Sequence, residues 1–241
     1  MSNNYTPLLN FSEILDKYKV GFKRDYYNTL RLRNEIRCSV LKKLNNKYYA
    51  KEYFAKYNFK VPKLIYYTEK QEDLKKFLIN KYVAKPAHLS ESDDVFINDD
   101  NINHVNKSLN KSLKKSARPA EPLMLKEARK GILIEEYIDY DYELKVFVLY
   151  GSPIIADLRR GSKEWHRENF IDQENEYINL DNTYNKIKRL SKDLKLDFYR
   201  IDFLIKDQDI YASEFAFRPS TLLPADLQRY IYSKWVSYSK T

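Results

Sequence analysis

The sequence predicts an α+β protein in which a short helical region precedes antiparallel sheets. Between Asp25 and Leu44, apolar side chains recur at helical spacing. From residue 61 to residue 138, short apolar runs alternate with polar segments, as strands alternate with helices and loops. Beyond residue 139, pairs of alternating segments flank tight turns, which is typical of β-hairpins.

The composition is that of a globular protein. Hydrophobic residues make up 43% of the 241 residues, so a chain of this length can bury a core. The sequence has no run of about 18 uncharged apolar residues and no basic start followed by an apolar segment, so we expect neither a membrane span nor a secretory signal. The single cysteine, Cys38, cannot form an intrachain disulfide, which fits a reducing, cytoplasmic location.

The net charge is +9, with 43 Lys and Arg residues against 34 Asp and Glu residues. Such an excess favours anionic partners in general: nucleotides, acidic substrates, nucleic acid or a membrane surface. Lys, Asn, Tyr and Ile are all abundant, as in proteins encoded by AT-rich genomes, so the charge alone carries little weight.

Helices are predicted through the first 60 residues. Ser12 is a suitable N-cap for a short helix to Lys19, and a second helix covers Asp25–Leu44. Pro62 ends this region, because it disfavours a helical residue before it. An aromatic stripe precedes the proline and predicts packing against the next layer, with base stacking as the alternative. The stripe consists of Tyr49, Tyr53, Phe54 and Tyr57.

Strands dominate the rest of the chain. A capping box from Thr68 to Gln71 predicts a helix after the first strand, with Leu74, Phe77 and Leu78 inward. A further exposed helix is expected within residues 99–119. The predicted strands are Leu64–Tyr67, Tyr82–Pro86 and 131–138. Two hairpins follow, Glu143–Tyr150 with Ile154–Leu158 and Arg200–Ile205 with Ile210–Phe217, separated by a helix at Thr183–Leu194.

Two carboxylates are expected side by side on the second hairpin. Strand alternation places Arg200 and Asp202 on one face, and the returning strand brings Glu214 beside Asp202. Neighbouring carboxylates repel unless a cation lies between them, and Mg²⁺ is a hard, oxygen-seeking cation that usually arrives with nucleotide phosphates. The alternative is that each carboxylate pairs with Arg or Lys on a solvated face.

Two other segments have side chains suited to a nucleotide. Lys85 ends an apolar strand before a small polar loop, where it can reach a phosphate or simply be solvated. The loop residue His88 can likewise contact a phosphate or be solvated. The polar end of the strand at 131–138 suits the edge of a purine, and the nearby carboxylate of Glu143 suits ribose hydroxyls. Taken alone, a glutamate at a strand end is ordinary.

In order and spacing, these segments resemble the ATP-grasp superfamily, in particular D-alanine–D-alanine-ligase-like enzymes and teichuronopeptide-biosynthesis-type ATP-grasp proteins. The resemblance covers about residues 45–225. It implies a helical N-terminal region at 1–60 and two α+β lobes, at 61–138 and 139–241, whose antiparallel sheets sandwich the nucleotide. The matching motifs are Lys47-x-x-x-Lys51, Lys85-Pro86, Glu135-Glu136-Tyr137-Ile138, Arg200-x-Asp202 and Glu214.

The resemblance implies Mg-ATP as cofactor and a role for each matched residue. Lys47 and Lys85 hold phosphates; Glu135, Glu136 and Ile138 place adenine; Glu143 holds ribose; Asp202 and Glu214 bind Mg²⁺; and Arg200 is catalytic, stabilising an acyl phosphate and the tetrahedral species that follows. Three departures weaken the match. Ala216 stands where the family has a metal-binding Asn, the loop after Pro86 has no glycine, and Arg218-Pro219 replaces a glycine after the last strand.

The implied function is an ATP-dependent carboxylate–amine, or carboxylate–thiol, ligase acting through an acyl phosphate. Its second substrate would be an acidic small molecule or peptide bound near a basic loop. The alternative is that this loop is simply solvated. A phosphotransferase on the same fold and a non-catalytic nucleotide-binding or interaction module are the alternatives. We expect neither a membrane nor nucleic acid as partner. The basic loop contains Arg159, Arg160, Lys163, His166 and Arg167.

Overall fold

The computed structural model describes residues 39–89, 94–116, 128–160, 168–170 and 180–217, with a few positions from 219 to 237. Side chains are not described at 39–40, 155–160 and 168–170. The predicted helix at Ser12–Lys19, the start of the helix from Asp25, and Lys163, His166 and Arg167 lie outside these residues, as do the side chains of Arg159 and Arg160.

Two antiparallel sheets form the framework of the described chain. The first has the strand order β1-β4-β2-β3 and the second β7-β6-β5-β8-β9. The chain passes from the first sheet to the second between Glu136 and Tyr142. The first sheet consists of β1 (Leu64–Thr68), β2 (Tyr82–Pro86), β3 (Phe96–Ile97) and β4 (Ile132–Glu136); the second of β5 (Tyr142–Leu149), β6 (Ser152–Arg160), β7 (Glu168–Phe170), β8 (Phe198–Lys206) and β9 (Asp209–Ala216).

Two helices precede the first strand, and two lie between later strands of the sequence. They are α1 (Ser39–Leu44), α2 (Lys47–Lys56), α3 (Ile102–Ser112) and α4 (Asp181–Leu194). Both predicted hairpins and the helix between them are confirmed. No helix in the described part of the chain is long and apolar enough to cross a membrane. The predicted division into three domains remains a prediction.

The predicted helix after β1 is wrong, because only a 3-10 turn at Lys75–Phe77 forms there. Side chains from α3 replace the bonds that a helix would make: Asn110 accepts from the backbone N–H of Glu72 at 2.9 Å, and Asn106 from that of Leu74 at 3.0 Å. Leu74 is nevertheless buried in the core beneath the first sheet, as predicted.

The larger core lies on one face of the second sheet, where α1, α2 and α4 contribute to it. Phe54 of α2 is fully buried. Its ring stacks on Phe215 of β9 at 4.3 Å and meets Phe59 edge to face at 5.8 Å. The aromatic stripe predicted from the sequence is therefore a packing surface, and α2 is fixed to β9 by aromatic contacts.

Replacing Phe54 with Ala should destabilise the protein by about 3–5 kcal/mol, because the substitution removes a buried ring and leaves a cavity. Urea unfolding of the variant measures the change. Lys56→Met, on an exposed part of the same helix, is the control and should change the free energy of unfolding by less than about 0.5 kcal/mol. A loss below about 1 kcal/mol for Phe54→Ala would contradict this packing.

Candidate functional site

Each sheet has one apolar face and one charged face. In the first sheet, Ile132 and Ile134 of β4 enter the small core, so the alternate residue Glu135 projects from the other face. In the second sheet, Tyr199 and Ile201 of β8 enter the large core, so Arg200 and Asp202 project away from it. Glu135 of the first sheet and Arg200 and Asp202 of the second therefore lie on faces that the cores do not use.

Helix α2 connects these two charged faces. Asn46 caps it by accepting from the backbone N–H of Tyr48 at 2.9 Å. Lys47, the first helical residue, donates its backbone N–H to Ala87 O at 2.8 Å and its ammonium to Leu89 O. The same ammonium lies 3.8 Å from Glu214 of β9. One lysine thus contacts the loop after β2 and the edge strand of the second sheet.

The start of β4 is held close to α2. The Asn46 amide donates to Arg129 O at 2.7 Å and to the Tyr67 hydroxyl at 3.0 Å. A Cβ at Gly131 would lie 2.6 Å from the Tyr67 ring, so this close approach requires glycine. Gly131 O in turn accepts from Ala87 N at 2.8 Å, which aligns the loop after β2 with the helix.

A buried cluster of three charges lies between α2, β2 and β4. Lys85 Nζ is 2.7 Å from Glu135 Oε1, and Lys51 Nζ is 2.9 Å from Glu135 Oε2. The side chains of Lys51, Lys85 and Glu135 are 7%, 13% and 4% exposed. Glu135, expected at the adenine, thus lies between two ammonium groups. Lys51 Nζ and Glu135 Oε2 lack hydrogen-bond geometry with any described partner, so charge attraction joins them.

These charges shift one another's titration. Burial by itself would raise the pKa of Glu135, but the two lysines more than offset it and lower that pKa to about 2. Burial would also lower the pKa of Lys85, yet the Glu135 carboxylate raises it overall. For Lys51, burial outweighs the attraction of Glu135 and lowers the pKa. Glu135 and Lys85 are therefore held firmly in their charged forms.

On the second sheet, three charged residues form a row across neighbouring strands. Lys145 of β5 pairs in register with Asp202 of β8, which pairs with Glu214 of β9. The predicted proximity of Asp202 and Glu214 is thus confirmed. Arg200 donates to both oxygens of Asp202, at 2.6 and 2.7 Å. Lys145 Nζ lies 3.1 Å from Glu143 and 3.6 Å from Asp202.

Asp202 already pairs with Arg200 and Lys145, and Glu214 lies near Lys47. The oxygen lone pairs that remain would suit one Mg²⁺ ion. A carboxylate has about four lone-pair sites, of which Arg200 occupies two on Asp202, and the Glu214 side chain is 40% exposed. These two carboxylates can supply hard oxygen ligands, with phosphate and water completing the shell. No cluster of three or more His, Cys, Asp or Glu side chains forms a metal cage within the described ranges. Ala216, which lies opposite Arg200, has no ligand atom.

The structure places His88 in the loop after β2 in an environment that the sequence did not predict. The imidazole is buried, accepts from Gly131 N at 3.3 Å, and lies 3.4 Å from Lys115 O. Burial lowers the pKa of His88, which favours the neutral ring. His88 is therefore not a solvated loop residue, and its ring contacts the backbone of Gly131 and Lys115 at the start of a loop that contains no glycine.

The segment expected to place adenine lies at the end of β4. Glu136 is exposed, and its backbone N–H donates to Lys63 O at 2.9 Å. The N–H of Tyr137 donates to Lys81 O at 3.2 Å, and Ile138 O accepts from Tyr140 N at 3.0 Å. This segment is therefore anchored to both flanking connections of the first sheet.

Two basic residues of the site were not assigned a role from the sequence. Lys51 appeared only as part of a motif, although its spacing of four from Lys47 puts both on one helix face. Lys145 is two residues from Glu143 on a strand, so both share a face. In each case the spacing was a usable signal.

The chain is similar in fold to solved structures of two ligases and a macrocyclase. No family model and no curated protein matches it. D-alanine–D-alanine ligase from Bacillus anthracis, complexed with ATP, matches with a TM-score of 0.55 and 18% identity over 79% of this chain and 61% of that chain. The macrocyclase MdnC from Microcystis aeruginosa, bound to its precursor peptide, matches with a TM-score of 0.55 and 12% identity over 80% of this chain and 61% of that chain.

A third similar structure is the ATP-grasp ligase PsnB with a precursor peptide and AMPPNP, at a TM-score of 0.50 and 14% identity, covering 81% of this chain and 59% of that chain. The chain spans about three fifths of the length of these three proteins. Together with the two antiparallel sheets, these matches show that the chain has the ATP-grasp fold, as its motifs predicted.

Removing the buried carboxylate should destabilise the fold. In Glu135→Gln, two desolvated ammonium groups lose their shared counter-charge, so we expect a loss of about 3–5 kcal/mol in urea unfolding. Glu136→Gln, one residue along β4 but exposed, is the matched control and should stay within about 0.5 kcal/mol of wild type. Equal stabilities for the two variants would argue against a buried ion cluster.

Proposed function

We propose that this protein is an ATP-dependent ligase that joins a carboxylate to an amine or a thiol through an acyl phosphate. The observation that supports this most directly is the convergence of Lys47, Lys85, Arg200, Asp202 and Glu214 on the charged faces of two sheets in the ATP-grasp fold. The similar folds of ATP-grasp ligases support this type of activity. The roles proposed below rest on the residues of this chain.

In the proposed complex, the nucleotide lies between the two charged faces. Lys47 and Lys85 bind its phosphates as point charges. The segment containing Glu136 and Ile138 places adenine, and Glu143 holds ribose. Both carboxylate oxygens of Glu135 face lysines, Lys51 and Lys85, so in this proposal Glu135 orients the two lysines in addition to any contact with adenine.

The proposed reaction has two balanced steps. A substrate carboxylate oxygen attacks the γ-phosphorus of ATP, ADP leaves, and an acyl phosphate forms. An amine or thiol then attacks the acyl carbon, inorganic phosphate leaves, and the nucleophile loses its proton. In this proposal Arg200 stabilises the negative oxygen that develops in each step. Held by Asp202 and Glu214, Mg²⁺ would neutralise charge on the phosphates.

We propose an acidic small molecule or a peptide as the second substrate. Two of the similar structures contain a precursor peptide, which supports a peptide. The basic loop from Arg159 to Arg167 is the proposed contact for an acidic group. A non-catalytic nucleotide-binding module is the second candidate, because Ala216 supplies no metal ligand and the loop after β2 has no glycine.

Mg-ATP should raise the melting temperature by about 5–10 °C at a concentration of about 100 times Kd, because it binds only the native state. Lys85→Met removes one charged contact, worth about 1.5–3 kcal/mol, so it should weaken binding roughly 10- to 100-fold in calorimetry. Lys63→Met is the control outside the site. The nucleotide-binding proposal fails if saturating Mg-ATP neither shifts the melting temperature nor gives binding heat.

Hydroxylamine trapping tests the ligase reaction. With Mg-ATP and a panel of dicarboxylic acids and short acidic peptides, the wild type should form a hydroxamate, and Glu214→Gln should lose at least about 100-fold in rate, because it weakens charge neutralisation at the phosphates. Glu52→Gln, an exposed position on α2, should remain active. A stable phosphate ester would instead identify a phosphotransferase, and tight ATP binding without turnover would favour the non-catalytic module.

A further inference from the structure

The sequence assigned no role to Lys51, whose ammonium is buried beside Glu135. We propose that Lys51 is a positioning residue that gives the buried cluster of Lys51, Lys85 and Glu135 a net positive charge and so keeps Lys85 available to a phosphate. This inference rests on the proposed nucleotide-binding function. It concerns a residue that would not itself touch the nucleotide.

The first argument concerns the cost of burying Lys51. Removing an ammonium group from water costs several kcal/mol, and an apolar side chain of similar volume usually serves packing equally well or better. The side chain of Lys51 is 7% exposed, and its described charged neighbour is Glu135 at 2.9 Å. A lysine at this position is therefore poorly explained by the stability of α2 alone.

The second argument concerns charge. Lys85 and Glu135 alone would form a neutral pair, in which the carboxylate competes with any phosphate for the Lys85 ammonium. With Lys51 on the other oxygen, two ammonium groups share one carboxylate, and the cluster has a net charge of about +1 by Coulomb bookkeeping. An incoming polyphosphate then meets a cationic surface inside a site shielded from water.

The third argument concerns geometry. Glu135 Oε1 contacts Lys85 at 2.7 Å, and Lys51 faces Oε2, so the two lysines together fix the plane of the carboxylate. Lys51 is in turn fixed because it lies one helical turn after Lys47 on α2. The position of Lys85 is thus coupled through Glu135 to the same helix that presents Lys47.

Lys51→Met tests this inference by separating affinity from stability. Burial outweighs the attraction of Glu135 for the charged Lys51 and lowers the pKa of Lys51, so the ammonium is a net cost to the free fold. Methionine fills the space and leaves Lys85 paired with Glu135, so the free variant should unfold at the same or a higher urea midpoint than wild type. Its affinity for Mg-ATP should fall by at least about tenfold in calorimetry. Lys56→Met removes a lysine from the same helix at a side chain that is 63% exposed, and it should leave the affinity unchanged.

A pH series provides a second readout that a purely structural residue would not change. Lys51 faces Glu135, Lys85 and, at longer range, Glu214. Because burial lowers its pKa, Lys51 loses its proton below the ordinary lysine value of about 10.4, while Lys85 stays charged. Wild-type affinity should therefore decline before the pH reaches the ordinary lysine value of about 10.4, and the affinity of Lys51→Met should not follow that decline.

The outcomes distinguish the two proposals. If the wild type does not bind Mg-ATP, both fail. If the wild type binds and Lys51→Met binds equally well, only the positioning role is overturned. Parallel losses of stability and affinity in Lys51→Met would make Lys51 a structural residue and would also overturn it. Reduced affinity with undiminished stability and a flatter pH profile would support it.

Discussion

The arrangement of the site depends on one constraint, the need to compensate the buried charge of Glu135. An ionised carboxylate removed from water must have positive partners within a few ångströms. Here those partners come from two different elements, Lys85 of β2 and Lys51 of α2. The shared carboxylate therefore relates the position of a helix residue to that of a strand residue. Any shift of α2 by one residue would move Lys51 out of reach, because helical residues turn by about 100° each.

The second sheet is placed by the same helix through different chemistry. One part of α2 presents Phe54 to the aromatic cluster on β9, and its first residue presents Lys47 to Glu214 of the same strand. Apolar packing supplies most of the stability of this contact, since an exposed ion pair at 3.8 Å contributes little. The ion pair instead holds the ammonium group of Lys47 in position, as the proposed phosphate site requires.

Much of this arrangement could be predicted because it depends on local patterns. Alternation and turn spacing within 20 residues were enough to place Asp202 beside Glu214. The prediction of a helix after β1 was wrong because backbone N–H groups of this segment donate to the side chains of Asn106 and Asn110, more than 30 residues away. The partners of Glu135 were equally hidden, since strand alternation gives a face but does not identify what packs against it.

The loop after β2 has no glycine, although the proposed function places phosphates near it. Glycine allows backbone N–H groups to approach an anion but adds conformational entropy to the unfolded chain. In this protein Ala87 is hydrogen-bonded on both sides, to Lys47 and Gly131, and the buried ring of His88 contacts Gly131 and Lys115. The described start of the loop, Ala87 and His88, is thus held by contacts within the protein. In the proposed complex, phosphate recognition would therefore depend more on the lysine ammonium groups than on backbone closure.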